Sequence, residues 1–442
     1  MSLKGLDGKL KFQKRHIVIG ITFLAIWFAY FLMVDSHFYI FEGESSHYLL
    51  MAKSLVVYHK YWDFYLPKPL PHIKIPPLFS VFLAPIYYCL GFNILAIKLF
   101  IFLWIIAGTI IGYFLFLKLS DDWQKSLLII FLNLLFPLNY LVMCKISSEF
   151  PYLAMSYLAL FYLMQAEKKE LSSFKSFCLG ILIGFCFLMR SVGLTLILAF
   201  AGFAVVDFLK SRSLRHFFHQ SIILTISSLI SLTWILRGIL VRAKEQFTYF
   251  QMIFADAKPG SIELGMIDLQ PPLLPDPKMI SFSGLVQRIA DNMIFYAKGI
   301  LFQPADTKYS YIFIILMIFA IPGIIWTFRK SITMGLYGVL SFILIFIWPF
   351  QDVRFLAPVS GIIIFWIIEG TSYITGRLSQ KRIMYFFINY MGYGLLFLAL
   401  TCFCYKDYRI WKHIRKQNHF GKYQVSKYFE VIPLTPGRDR FC

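Results

Sequence analysis

Residues 42–78 read EGESSHYLLMAKSLVVYHKYWDFYLPKPLPHIKIPPL, and they form a polar, aromatic-rich stretch in a chain that is otherwise mostly apolar. The 442 residues are 59% hydrophobic and 19% aromatic, and the mean hydropathy is +0.68. Soluble globular proteins do not have this balance, and runs of about 18 or more apolar residues are typical of membrane-spanning helices. The sequence therefore predicts an all-α polytopic membrane protein whose chemistry lies in the polar stretch.

The apolar runs predict eleven membrane-spanning helices. The segment 77–91 is not counted among them, because a helix of that length covers only about 22 Å of a hydrocarbon core about 30 Å thick. We expect it to lie along the outer interface of the membrane. A second interfacial helix is expected within 281–302, where apolar residues recur at helical spacing: Leu285, Ile289, Met293, Tyr296 and Ile300. The predicted spans are residues 17–34, 94–117, 125–143, 148–166, 174–189, 191–208, 219–240, 309–327, 332–348, 355–374 and 383–404.

The charge pattern orients these spans. The chain carries 43 Lys and Arg against 23 Asp and Glu, a net charge of +20, and short basic linkers mark the cytoplasmic side. Nothing in the sequence indicates a nucleic-acid partner, so the excess charge is interpreted as facing the cytoplasm and anionic membrane lipids. The basic N-terminus then lies inside, and the outer side carries the loops 35–93 and 241–308. The catalytic domain is expected over 1–404, followed by a basic tail over 405–442 that this topology places outside, against the charge rule.

Two acids stand out on the predicted outer side. Glu44 lies four residues before Tyr48 at the start of a helical segment, and Glu42 is a rival for the same role. Glu149 lies in the string SSEFP at the start of a predicted span. Each acid could serve in chemistry, or it could be a first-turn carboxylate that stabilises the N-terminus of a helix. For Glu149 the two roles are compatible.

Four cations are predicted on the same side. Lys74 precedes the pair Pro76 and Pro77, while Arg190, Arg237 and Arg354 lie at the ends of predicted spans. A single arginine at a helix end usually extends towards the interface to keep its charge in water. Several such ends on one face of a membrane protein instead favour an anion-binding site.

These motifs, in this order, resemble the GT-C glycosyltransferases that use polyprenyl-phosphate sugars, a group that includes the protein O-mannosyltransferases and the lipid A aminoarabinose transferases. Their first outer loop has an acid four residues before a tyrosine, a short helix, an aromatic stretch and a Lys-Pro-Pro-Leu-Phe-like segment. The sequence departs from this pattern where the acid is Glu44 instead of aspartate and where Ile75 intervenes before the proline pair. The resemblance extends over about residues 17–405.

The resemblance implies an inverting transferase on the outer face of a membrane, with a bacterial inner membrane as the expected location. Its donor would be a sugar on a polyprenyl phosphate, and its acceptor a lipid, a glycan or a protein. Glu44 would be the general base and Glu149 would orient the acceptor or share the task. Lys74, Arg190, Arg237 and Arg354 would bind the donor phosphate. The substrate-binding residues would be His47, Tyr48, Tyr61, Trp62 and His72.

No cofactor is required by this chemistry. His47 and His72 lie near acids and would suit a divalent metal, but their spacing is not that of a metal site, so no metal ligand is predicted. A membrane transporter or lipid flippase is the alternative function, although charged residues near the middle of the spans, which ion coupling would need, are nearly absent from the sequence. A non-catalytic membrane scaffold would not explain the polar stretch.

Overall fold

A computed structural model describes most of the chain as α-helix. The described residues are 3–32, 34, 43–64, 69–136, 139, 142–143, 145–211, 213–241, 253–255, 279–299 and 310–378. The predicted span 383–404, the tail 405–442, Glu42 and the Pro-rich part of the loop 241–308 lie outside these residues.

Several of the helices follow one another through linkers of a few residues, and a two-stranded hairpin lies between the second and third described helices. The strands are β1 (Trp62–Asp63) and β2 (Leu70–Pro71), antiparallel with Trp62 opposite Pro71. The helices are α1 (Leu3–Phe31), α2 (Gly43–Tyr58), α3 (Leu78–Leu90), α4 (Ile94–Ser120), α5 (Trp123–Leu134), α6 (Glu149–Ala166), α7 (Ser173–Met189), α8 (Leu194–Ser211), α9 (Leu214–Leu240), α10 (Phe282–Gly299), α11 (Ser310–Lys330), α12 (Ile332–Ile347) and α13 (Ser360–Leu378). Two 3-10 helices, Ser191–Gly193 and Val353–Val359, precede α8 and α13.

Polar residues in the basic linkers start the helices. The side chains of Ser172, Ser213 and Ser331 accept hydrogen bonds from backbone N–H groups in the first turns of α7, α9 and α12, and Asp122 does the same for α5. Such caps satisfy backbone donors that an isolated helix leaves unpaired. The linkers therefore fix where each apolar helix begins.

Within the part of the chain that the structure describes, four helical segments are long and apolar enough to cross a membrane: Ile94–Ser120, Ser191–Ser211, Leu214–Leu240 and Arg354–Thr375. Further apolar helices are shorter, among them Ile17–Phe31, Ser173–Met189 and Ile332–Ile347. The chain is thus an all-α integral membrane protein, while the number of eleven spans stays a prediction.

The span predicted at 125–143 is wrong in its extent, because α5 ends at Leu134. Pro137 follows in the sequence and has no N–H to donate to the carbonyl of Asn133. The side-chain amide of Asn139 donates to that carbonyl instead, at 2.6 Å. An apolar run therefore did not give one continuous helix.

The predicted interfacial segments are both helical. The 77–91 segment forms α3, which is about 20 Å long by its 13 residues and ends at Gly91 in a positive-φ conformation. The 281–302 segment forms α10, in which Met293 is exposed, whereas Arg288 and Asn292 are buried. The helix turns its polar face to the protein, as expected where the other face meets lipid.

The middle of the bundle is α6, most of whose side chains are buried. Helices α11 and α13 cross closely through glycine. A Cβ atom on Gly370 would overlap the carbonyl oxygen of Phe319, and one on Gly323 would overlap that of Trp366. Small residues let membrane helices approach in this way, and the crossing fixes where α13 and the 3-10 helix before it lie.

Candidate active site

The first carboxylate of the site is Glu44, in the first turn of α2. Its Oε1 accepts a hydrogen bond of 2.9 Å from Nη2 of Arg354, which lies 310 residues away in the 3-10 helix before α13. The Glu44 side chain is 27% exposed and that of Arg354 is 13% exposed. An ion pair that is largely shielded from water holds α2 to the 3-10 helix before α13.

The second carboxylate is Glu149, the first residue of α6, whose side chain is 1% exposed. Oε1 of Glu149 lies 2.8 Å from Nη1 of Arg190, which ends α7 in an extended conformation. The turn after Arg190 is tight, because a Cβ on Gly193 would lie 2.5 Å from the backbone nitrogen of Phe187. Glycine at this position lets the turn bring Arg190 back over the end of α6.

A hydrogen-bond chain links Tyr48 of α2 to the second ion pair. The hydroxyl of Tyr48 lies 2.8 Å from Oγ of Ser148, and the same Oγ accepts a bond of 3.1 Å from Nη1 of Arg190. Tyr48 lies one helical turn after Glu44, so the two share a face of α2. Burial raises the pKa of the Tyr48 hydroxyl, and the negative charge of Glu44 raises it further. Tyr48 is therefore neutral and available as a hydrogen-bond donor.

Burial also raises the pKa of Glu44, although Arg354 and Arg190 oppose that shift. The neighbouring carboxylates Glu149 and Asp352 add to it. A carboxylate whose pKa lies above its usual range is a stronger base when it is ionised.

The structure adds two charged residues that the sequence analysis missed. Asp352 accepts a hydrogen bond of 2.9 Å from the backbone N–H of Arg354, and its Oδ2 lies 2.5 Å from Nε of Arg354. Burial lowers the pKa of Lys145 to about 8, with Asp352 and Glu149 opposing the shift. Their positions two residues before Arg354 and four before Glu149 were the available signal.

A second cluster forms around the hairpin. Nδ1 of His72 lies 2.9 Å from Oδ1 of Asp63, and Nε2 of His72 accepts a bond of 2.9 Å from the backbone N–H of Ile75. The Nδ1–H tautomer satisfies both contacts. This arrangement shapes the turn on which Lys74 lies half-buried, between the buried side chains of Ile73 and Ile75.

Arg237, near the end of α9, belongs to this second cluster. Its guanidinium donates through Nη1 to the carbonyl of His72 and through Nη2 to the carbonyl of Tyr61, the latter at 3.0 Å. It also lies over the ring of Trp234, at 5.1 Å from the centroid. Both terminal nitrogens thus bind the hairpin backbone.

The remaining predicted substrate-binding residues lie on or near the hairpin. The rings of His47 and His72 are 6.1 Å apart, and Tyr61 packs edge-on against His72 with its hydroxyl donating to the carbonyl of Ile75. Trp62 lies under Nζ of Lys60, at 4.9 Å from the ring centroid. Glu44, Glu149, Arg190, Arg354 and Tyr48 thus form one cluster, and Arg237, Tyr61 and His72 another beside it. No group of three or more potential metal ligands occurs among the described residues.

Comparison with solved structures gives similar folds. The archaeal oligosaccharyltransferase AglB from Archaeoglobus fulgidus, in complex with an inhibitory peptide and a dolichol-phosphate, is similar with a TM-score of 0.52 and 11% identity over 89% of this chain and 56% of that chain. ArnT from Cupriavidus metallidurans, bound to undecaprenyl phosphate, gives a TM-score of 0.49 and 13% identity over 82% and 63%. The chain spans less than two thirds of the length of either protein.

The similarity to the oligosaccharyltransferase is one of fold. It agrees with the all-α membrane fold that the sequence resemblance implied. No protein-family model matches the chain, and no curated protein matches it.

Proposed function

We propose that the chain is an integral-membrane glycosyltransferase that moves a sugar from a polyprenyl-phosphate donor to a lipid, glycan or protein acceptor. The observation that carries this proposal is the convergence of two carboxylate–arginine pairs, Glu44 with Arg354 and Glu149 with Arg190. Their four residues come from four separate elements and meet at one place that is largely shielded from water. Buried ion pairs cost desolvation energy that a merely structural contact would not need to incur.

The chemistry assigns a task to each pair. Glu44 takes the proton of the acceptor hydroxyl as its oxygen attacks the anomeric carbon, and the polyprenyl phosphate leaves with inversion. Glu149 orients the acceptor, and Tyr48 donates a hydrogen bond within the same cluster. The arginines Arg190 and Arg354 stabilise the charge that develops on the leaving phosphate. Lys74, presented by the turn that His72 shapes, is the third proposed phosphate contact.

The fold supports this assignment through its likeness to an oligosaccharyltransferase whose solved structure holds a dolichol-phosphate. A lipid phosphate reaches such a site from the membrane, so the enzyme needs neither a nucleotide site nor a soluble domain. We propose no cofactor.

The position of the basic linkers supports an active site on the outer face. Helix α6 begins at Glu149, and Glu167 follows its other end. There Oε1 of Glu167 accepts bonds from Ser331 and from the backbone N–H of Thr333. The linkers 167–172 and 331 thus meet about 27 Å from Glu149 along an 18-residue helix. If basic linkers mark the cytoplasm, Glu149 and the site face outward.

Mass spectrometry of lipids and envelope glycans from cells that lack the protein tests the proposal. One polyprenyl-phosphate sugar should accumulate, and one glycan, lipid or protein should lose the mass of that sugar. Re-expression of the wild-type chain should restore both masses, whereas Glu44→Gln at equal abundance should restore neither. Unchanged donor and acceptor masses in the deletion strain would contradict the proposed function. If the donor accumulates in the deletion strain but Glu44→Gln fully restores transfer, a carboxylate-independent role such as lipid transport would be favoured instead.

A further inference from the structure

Arg354 has two carboxylate partners at once. Nη2 binds Oε1 of Glu44 at 2.9 Å, while Asp352 lies 2.5 Å from Nε and accepts the backbone N–H. Asp352 is itself held in place, because it caps the 3-10 helix that starts at residue 353 and its carbonyl accepts a bond of 3.2 Å from the hydroxyl of Tyr296. The guanidinium is thus anchored on its Nε side and paired with the proposed base on its Nη side.

The charges of the cluster balance before any donor binds. Among the described residues, three carboxylates and three cations interact with one another there: Glu44, Glu149 and Asp352 with Arg190, Arg354 and Lys145. A donor phosphate adds negative charge to this balanced set. In a site largely shielded from water, an uncompensated charge is costly, so the phosphate is held best when a carboxylate of this set releases a cation or loses its own charge.

Glu44 is the carboxylate that loses its charge during transfer, because a general base becomes neutral when it takes a proton. We propose that Arg354 passes from Glu44 to the phosphate of the donor, so that one arginine couples proton uptake by the base to departure of the leaving group. This inference rests on the proposed function and specifies how its two halves are linked.

The transfer step conserves both atoms and charge. The acceptor oxygen forms a bond to the anomeric carbon, and its proton goes to a carboxylate oxygen of Glu44. The bond between the anomeric carbon and the phosphate oxygen breaks, and its electron pair stays on the phosphate, which gains one negative charge. Glu44 becomes neutral and releases Nη2 of Arg354, which then binds the phosphate. The total charge of the site does not change, and Asp352 keeps the guanidinium in reach as a positioning residue.

The burial of Glu44 agrees with this sequence of events. Burial raises the pKa of Glu44, and Arg354 is the first of the charges that lower it. When Arg354 turns to the phosphate, the carboxylate loses that support and holds the transferred proton more firmly. The exchange therefore stabilises both the protonated Glu44 and the leaving phosphate.

A double-mutant cycle tests the exchange through binding of the methyl ester of undecaprenyl phosphate, a diester whose charge does not change over the pH range used. The full-length protein in lipid nanodiscs is compared with Glu44→Gln, Arg354→Gln and the double variant. Glu44→Gln should bind the lipid about tenfold more tightly, because it frees Arg354 for a charge-assisted bond. The gain should vanish when Arg354 is already glutamine.

Glu149→Gln is the matched control, since it removes the same charge from the neighbouring pair with Arg190. Any gain it gives should persist in the Arg354→Gln background. A Glu44→Gln gain that also persists there, or no gain at all, would overturn the exchange.

A pH series on the wild type keeps the test independent of the Arg354 variants. Binding of the diester should strengthen as the pH falls and Glu44 takes a proton, and Glu44→Gln should keep only the weaker dependence that the other groups contribute. The other titratable groups in the cluster are Glu149, Asp352, Lys145 and Tyr48, and all of them remain in that variant. Equal pH dependence in both proteins would overturn the inference. If the wild type binds the lipid and transfers sugar but the effects of Glu44→Gln and Arg354→Gln on binding are additive, only the exchange is contradicted. If the wild type neither binds the lipid nor transfers sugar, the proposed function is contradicted as well.

Discussion

Replacing Arg237 should loosen the hairpin that its guanidinium binds. The sequence places Arg237 among the phosphate ligands, whereas the structure gives both of its terminal nitrogens to the carbonyls of Tyr61 and His72. We predict that Arg237 is a positioning residue for the hairpin. The test is Arg237→Met, which removes the charge and keeps most of the length of the side chain.

The magnitude follows from the two bonds. A hydrogen bond to a charged group contributes about 1.5–3 kcal/mol, so the pair holds the hairpin by about 3 kcal/mol or more. That corresponds to an increase of roughly 100-fold in the fraction of time the hairpin is open. Arg237→Lys should recover only part of this, because an ammonium cannot reach both carbonyls with the planar fork of a guanidinium.

Hydrogen–deuterium exchange of peptides covering residues 61–75 measures this opening directly. Exchange there should rise in Arg237→Met, while peptides from α6 stay unchanged. Arg329→Met, which removes a charge from the last turn of α11, is the matched control and should leave the hairpin unchanged. Two results together would refute the positioning role and support the phosphate role. Hairpin exchange would be unaltered in Arg237→Met, and the donor lipid would bind more weakly to Arg237→Met but normally to Arg237→Lys.

Three further predictions concern the base and the bundle. Glu44→Gln should lower turnover by about 10²–10⁴-fold with donor binding retained, whereas Glu42→Gln should be much milder; the reverse pattern in a transfer assay would move the base to Glu42. Because the base must be ionised and burial raises the pKa of Glu44, wild-type turnover should fall with decreasing pH at a value above the ordinary glutamate pKa of about 4.3, and an acid limb at or below that value would contradict the burial argument. Gly370→Ala should destabilise the protein by about 1–3 kcal/mol, since the added Cβ would overlap the carbonyl of Phe319. Thermal unfolding in detergent measures this loss of stability. Gly20→Ala, whose Cβ meets nothing within 4 Å, is the control and should unfold as the wild type does.

Several features could be predicted from the sequence because they depend on residues close together in the chain. Hydropathy over about 18 residues identifies apolar helices, and serine or aspartate in the linkers marks where they begin. The helix over the 281–302 segment and the helix starting near Glu149 were predicted in this way and are present. The outer-loop motifs were enough to single out Glu44 and Arg354 and to suggest the fold.

Other features depend on which distant segments pack together, and no local pattern contains that information. The pairing of Glu44 with Arg354 over 310 residues exists only because α2 and the 3-10 helix before α13 meet at one end of the bundle. The same packing turns the polar face of α10 inward and gives Asp352 its place beside Arg354. It also directs Arg237 to the hairpin. The sequence determines the charge of a side chain, but the tertiary structure determines its partner. A charge can be buried only where packing brings a complementary group within bonding distance.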